Sequence, residues 1–373
     1  MRPALLFAVS LTALWTCALP LRRVERGQND FLALYSGAKL VGTPALYSES
    51  AAKDLQTKLA NIWLPAVIYT RLPFYAALLK PLAALPYRLA YWLFQMLNLA
   101  ALAIFLRSWG RRDPLLCVLG GISIPVITAF ANGQDVLLLV LLCAAAWELE
   151  RRQKLFLAGL VLSLLAIKFH LFLFIPAILL LGKRWRMLSR ATLGALALLA
   201  ISAALQGWDW PSGYLQLLRS SEITPTAITM PNLHGLLTAT IGDLPRVELI
   251  LSALVAIVLI SAALRIRDLG PALALAIVAG LLTSHHAYVQ ESCLLLLIPV
   301  LAPGFVWTRR LALALLAPPV YFLLAASGPV SALVPLGILA LFATIAWEAV
   351  QHAAPAPQAV DPFAAPQFSS PAQ

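Results

Sequence analysis

Residues 155–182 read LFLAGLVLSLLAIKFHLFLFIPAILLLG, two apolar runs of thirteen residues that meet around Lys168, Phe169 and His170. Neither run reaches the roughly 20 apolar residues that cross a bilayer as a straight helix. Arg151, Arg152 and Lys154 precede the stretch, and Lys183, Arg184, Arg186 and Arg190 follow it. Cations at both outer ends and a Lys/His pair between the runs describe a hairpin at membrane depth, with basic feet on one side and Lys168 and His170 at the tip. An unpaired ammonium in hydrocarbon is costly, so Lys168 demands an anionic partner or water. A phosphate is the natural partner; the plain alternative is a lysine snorkelling to the interface.

The pattern extends to the whole chain. Of 373 residues 61% are hydrophobic and 12% charged, too little polar surface to cover a soluble particle of this size. The net charge of +11 would point to nucleic acid in a soluble protein. Here, however, 14 of the 27 Lys and Arg residues fall in five short clusters between apolar runs. Besides the two around the hairpin these are Arg107, Arg111 and Arg112; Arg265 and Arg267; and Arg309 and Arg310. That is the positive-inside pattern of a polytopic membrane protein, and it sets nucleic acid aside. Cys17, Cys117, Cys143 and Cys293 all lie within apolar runs and form no CxxC pair, so they mark neither a metal site nor a disulfide framework.

Apolar segments run over 3–20, 87–106, 114–131, 135–149, 155–167, 170–182, 191–207, 246–264, 270–284, 288–302, 310–326 and 330–349. The expectation is an all-α membrane bundle of about twelve helices over residues 1–352, with long outward loops at 21–86 and 208–245. The Pro-, Ala- and Gln-rich residues 353–373 read as a disordered cytoplasmic tail. With the basic clusters inside, Asn132 to Asp135, Lys168 to His170, and Ser284 to Tyr288 share the outward face with the two loops. Arg22, Arg23 and Arg26 oppose this, since only Arg2 precedes the first helix, and a crossing within 64–85 would reconcile an inward first loop. Arg71, Lys80 and the prolines of 64–85 fit surface-lying amphipathic pieces better. The segment Thr16 to Pro20 offers no convincing cleavage site, so 3–20 reads as a helix rather than a signal peptide. No internal repeat marks the inverted halves of a transporter.

The outward face carries the chemistry. In the first loop, Asp30 begins a stretch whose Phe31, Leu34 and Ala38 suit the buried side of a short helix lying along the membrane. Asp30 is then either its N-cap or a general base at the mouth of an apolar bundle. His285 and His286 are adjacent and do not share a helix face; His286 and Glu291 suit hydrogen bonds or charge pairing to a polar ligand. A zinc site would need further ligands, which only His170, His234 and the acids could supply, and none is expected. Gln134 sits in a Gly-Gln-Asp turn, and the 208–245 loop places Trp208, Trp210, Tyr214 and His234 where they form an interfacial aromatic belt or stack on a sugar.

Taken in order, Asp30-Phe31 with Tyr35 and Gly42 to Tyr47, Arg71-Leu72-Pro73-Phe74, Leu85-Pro86, Ala90-Tyr91-Trp92, Asn132-Gly133-Gln134, Gly159 to Lys168 and Ser284-His285-His286 resemble glycosyltransferase family 87. These are polyprenyl-phosphate-mannose-dependent mannosyltransferases of GT-C architecture. The resemblance implies that Asp30 is the catalytic base and that Arg71, Lys168 and His286 hold the lipid phosphate. Tyr35, Gln134, His170, His234, His285 and Glu291 would then contact substrate. Phe169, His285 and Leu72 stand where the family usually has proline, and Glu291 where it has Asp.

The activity so implied is inverting transfer of a sugar, with mannose first, from a polyprenyl-phosphate donor to a glycolipid or glycan. It would proceed without cofactor at the periplasmic face of a bacterial inner membrane. A sugar on a membrane-embedded phosphate suits a face that nucleotide sugars do not reach. A lipid-linked sugar flippase or transporter is the alternative from another class, and an O-antigen-ligase-like transferase the nearer one, although only Arg219 and Arg246 are available in the later loop.

Overall fold

The computed structural model describes residues 5, 7–13, 29–60, 67–219, 227–326 and 328–352. Most of the expected first helix, Arg22, Arg23 and Arg26 after it, and the tail 353–373 lie outside the described residues. Within them the architecture is helical and no strand occurs. The first loop carries α1 (Phe31–Leu40) and α2 (Glu49–Ala60), followed by α3 (Pro73–Ala83) and α4 (Tyr87–Ser108). Then come α5 (Pro114–Ile122), α6 (Ile124–Asn132), α7 (Val136–Arg151), α8 (Leu155–Ser163), α9 (Ile175–Leu181), α10 (Trp185–Gln206) and α11 (Trp210–Arg219). The last third holds α12 (Leu233–Thr240), α13 (Pro245–Ala263), α14 (Leu269–Thr283), α15 (Ile298–Leu301), α16 (Val306–Leu315), α17 (Pro318–Phe322) and α18 (Leu333–Gln351). Proline in the first turn starts α3, α5, α6 and α13, where its fixed φ is already helical and its missing N–H is not needed.

Five helical stretches among the described residues are long and apolar enough to cross a membrane, one of them, Leu155–Phe172, only by including a 3-10 segment broken at Lys168, or up to seven if each bent pair is one span. The chain is therefore an all-α, multi-pass membrane protein, but the count of about twelve spans is not matched. Two of the expected spans are broken: α5 and α6 meet at 41°, and α16 meets the helix that follows it at 55°. Others are too short: α7 has 16 residues and rises about 24 Å, against a hydrocarbon core of about 30 Å. The 15 residues of α14 are almost all buried, so that helix is apolar because it faces protein rather than lipid.

The short elements form hairpins. Gly159 of α8 abuts Met187 and Ala191, and Gly194 abuts Ser163, so α8 and α10 run parallel. The chain between them must therefore return. It reverses through a 3-10 segment, Leu164–Phe172, in which Lys168 has non-helical backbone (φ −129°, ψ 58°), and comes back as α9. A second hairpin pairs α14 with the 3-10 segment Val289–Leu297 and α15, since Gly270 at one foot meets Leu301 at the other. The tips touch where Gly280 lies against the carbonyl of Leu171.

The polar groups divide between the two ends of the bundle. At one end Arg184 pairs with Glu150 and donates to the carbonyl of Arg267 at 2.7 Å, while Arg309 pairs with Asp113 at 2.7 Å. Asp113 also caps α5 by accepting from the Leu116 amide at 3.2 Å. The other end holds Asp30, Arg71, Gln134, Asp135, Lys168 and the 284–291 turn. Helix α1 belongs to this second end, and its burial differs from the one-sided helix expected: every residue from Phe31 to Ala38 is buried. Phe31 packs on Tyr87, Tyr91 and Phe94 of α4, and Tyr69 just before α3 covers Gly37.

A Cβ at Gly280 would stand 2.0 Å from the Leu171 carbonyl oxygen, whereas one at Gly304 would meet nothing within 4 Å. Gly280→Ala is expected to destabilise the protein by about 1–3 kcal/mol through overpacking of the hairpin tips. Gly304→Ala should stay within about 0.5 kcal/mol. Thermal melting in detergent compares the two.

Candidate active site

Gly133 ends α6 in the left-handed conformation, φ 65°, which glycine adopts without strain. The turn it makes delivers Gln134 and Asp135 to the head of α7. The preceding carbonyl, Phe130 O, is held by Tyr91 Oη at 3.2 Å and Gln95 Nε2 at 2.6 Å. Gln134 then bridges two charges: its Nε2 donates to Asp30 Oδ2 at 2.6 Å, and its Oε1 accepts from Lys168 Nζ at 2.7 Å. The amide orientation is the one a carboxylate on one side and an ammonium on the other require.

Asp30 occupies the N-cap position of α1, yet its side chain makes no capping bond. Its carboxylate turns to Gln134 instead, which separates the two roles the sequence left open. Burial raises the Asp30 carboxyl above its ordinary range, opposed in part by the Gln134 hydrogen bond. A carboxylate so raised is a stronger proton acceptor than a free one.

Lys168 is 1% exposed and its ammonium is fully engaged. It donates to Glu291 Oε1 at 2.6 Å as well as to Gln134, and stands 3.2 Å from Asp135 Oδ1. Asp135, fully buried, lies between two cations, with Arg71 Nε 3.8 Å from its other oxygen. The carboxylate neutralises by charge rather than by aligned hydrogen bonds. Glu291 uses its second oxygen to accept from the Tyr288 amide at 2.9 Å, tying the 284–288 turn to the same network.

A cavity of about 530 Å³ opens beside this network. Asp30, Arg71, Gln134, His170, His285, His286 and Glu291 all line it, together with Thr70 and Tyr214. Three of the expected site residues are placed otherwise. Tyr35 donates to the carbonyl of Leu85 at 2.7 Å and packs against Phe31 and Tyr87, so it braces α1 and does not line the cavity. Lys168 lies behind Gln134 and Glu291, to which its ammonium donates, and does not line the cavity. His234 is buried against Glu248. In the later loop Tyr214 reaches the cavity and its ring meets that of Tyr47 at 5.4 Å, while Trp208 is 87% exposed. Burial depresses the His286 imidazole below its usual range, and His285 beside it acts in the same direction.

The residues that sequence reasoning did not single out are Asn232 and Glu248. Asn232 caps α12 through the Gly235 amide at 2.8 Å and donates to the Ser284 carbonyl at 2.7 Å, which anchors the histidine turn. Glu248 meets two imidazoles with its two oxygens, His234 Nδ1 at 2.9 Å and His285 Nδ1 at 3.1 Å. The one signal in the sequence was an acid in the first turn of an otherwise apolar span, which is a functional position by default.

A family model described as Glycosyltransferase family 87 matches residues 69–286, more than half of the chain. The matched stretch contains Arg71, Gln134, Lys168, His170 and the histidine turn, while Asp30 and Glu291 flank it. No curated protein and no solved structure matches the chain.

Replacing Lys168 with methionine keeps the volume and removes the cation from between Asp135 and Glu291. Uncompensated buried carboxylates of this kind cost about 3–5 kcal/mol, so Lys168→Met should lower the melting temperature sharply in detergent. An unchanged melt would mean that Asp135 and Glu291 do not depend on Lys168.

Proposed function

We propose, from the premise that this chain belongs to glycosyltransferase family 87, that it moves a sugar from a polyprenyl-phosphate carrier to a hydroxyl of a glycolipid or glycan. Mannose is the first sugar to try. The reaction runs on the outward face of a bacterial inner membrane, in a bundle of GT-C type. Asp30 removes the acceptor proton as the acceptor oxygen bonds to the anomeric carbon. The bond from that carbon to the phosphate oxygen breaks, and its electron pair leaves with the polyprenyl phosphate. A single displacement inverts the configuration and needs one carboxylate, where most glycoside hydrolases need two.

The charge that grows on the leaving phosphate meets Arg71 and His286, fixed donors on the same cavity. Arg71 lines the cavity and is held there by Asp135, 3.8 Å from its Nε, which suits its guanidinium to an incoming oxyanion. Lys168 acts one step back: by holding Gln134 and Glu291 it aims the base and the turn. The step as written uses no cofactor. The outward assignment is supported by the basic clusters at the opposite end of the bundle.

The observation that carries this reading is a carboxylate turned away from helix capping, held by one amide, and sharing a cavity with an arginine and a histidine. The test is transfer of radiolabelled mannose from polyprenyl-phosphate mannose to a membrane lipid extract. Asp30→Asn should lose about 10²–10⁴-fold in rate without a change in melting. Full activity in that variant would remove Asp30 as the base, and a wild type that moves the lipid-linked sugar across vesicles without transferring it would favour a flippase. The rate should fall as pH drops through the raised value of Asp30. Gln134→Met deletes a hydrogen bond to the charged form, so it should move that acidic limb to higher pH; an unmoved limb would place the titrating base elsewhere.

A further inference from the structure

Glu248 raises a question the transferase reading does not answer. It is a buried carboxylate in the first turn of the membrane-spanning helix α13, and the side chains that pair with it among the described residues are two imidazoles. His234 from α12 meets one carboxylate oxygen at 2.9 Å and His285 from the 284–288 turn meets the other at 3.1 Å, each through Nδ1. The two rings stack with centroids 4.0 Å apart. Two imidazoles and a carboxylate, drawn from three separate segments, thus converge on one point. A divalent ion takes two neutral imidazoles and a carboxylate together.

We propose that His234, Glu248 and His285 form a zinc-binding site at the rim of the cavity. The donor set, two imidazole nitrogens and one carboxylate, is the three-ligand pattern that leaves zinc a fourth position open. The ligand atoms lie within 4.8 Å of one another. Ligands about 2.1 Å from one ion stand no more than about 4.2 Å apart, so closure needs only small inward rotations. The ligand-bearing segments are already held from outside. Asn232 caps the helix that carries His234 and grips the carbonyl of Ser284 next to His285, and Thr238 Oγ1 donates to the His234 carbonyl at 2.9 Å. Such support fixes the backbone that carries both rings before the ion arrives. His285 is half-exposed and lines the cavity, which gives the open position to water or to an oxygen of a bound ligand. The ion clamps the histidine turn to α12 and α13 and so sets the neighbouring His286 against the cavity.

The full chain, purified in detergent and stripped with a chelator, is titrated with zinc chloride by calorimetry and melted with and without the metal. The expected result is one zinc per chain and a higher melting temperature, with affinity reduced at least about tenfold in both Glu248→Gln and His285→Ala. His352→Ala, at the opposite end of the bundle, should bind as the wild type does. His285 is half-exposed, so its alanine variant tests the site without disturbing the core. Absence of saturable uptake by the wild type, or uptake by the Glu248 and His285 variants equal to the wild type, would overturn the proposal. Uptake is read without any sugar donor, so the result stands apart from the transferase assay.

Discussion

The buried ammonium of Lys168 is the constraint on which the cavity end of this protein depends. A lysine 1% exposed inside an apolar bundle is tolerable only with its charge answered and its three donors occupied. Gln134 and Glu291 each accept a hydrogen bond from it and Asp135 adds an opposite charge at 3.2 Å; Gln134 and Asp135 are neighbours at the head of α7, whereas Glu291 comes from the 3-10 segment Val289–Leu297. Satisfying one cation therefore locks the head of α7, the tip of one hairpin and the start of the second hairpin's return into a single arrangement. Through the Gln134 amide the same lock reaches Asp30 in the first loop.

This explains why short, imperfect helices suffice near the site. The reversal at 164–172 and the segment 289–297 are 3-10 rather than α-helical, and their freed backbone groups would be costly against lipid. They lie instead against α14, whose faces are buried on all sides. Irregular backbone at membrane depth is tolerated where protein covers it or where it lines a cavity, and both conditions hold here. The long, lipid-suited helices α4, α10 and α13 surround that arrangement.

The two ends of the bundle differ in how charge is used. At the basic end the pairs Arg184 with Glu150 and Arg309 with Asp113 tie together segments that are not neighbours in the chain, at the edge of the apolar layer. At the other end the charges are buried and organised by hydrogen bonds of 2.6–2.7 Å around a cavity. Low dielectric strengthens such bonds and makes each member hard to remove alone.

The amino-acid sequence by itself determined that this is an all-α membrane protein and where its basic clusters fall. Those conclusions rest on composition and on charge spacing along the chain, which need no knowledge of contacts. The order of motifs from Asp30 to His286 likewise pointed to the family. Only the tertiary structure decided which apolar segments form long unbroken helices and which are broken or buried, because a buried apolar helix and a lipid-facing one have the same composition. It alone separated Asp30 from a helix cap, moved Lys168 behind Gln134, turned Tyr35 into a brace, and brought Glu248 between His234 and His285. Each of those outcomes depends on a partner dozens of residues away or on which direction a side chain turns, and neither is written in local spacing.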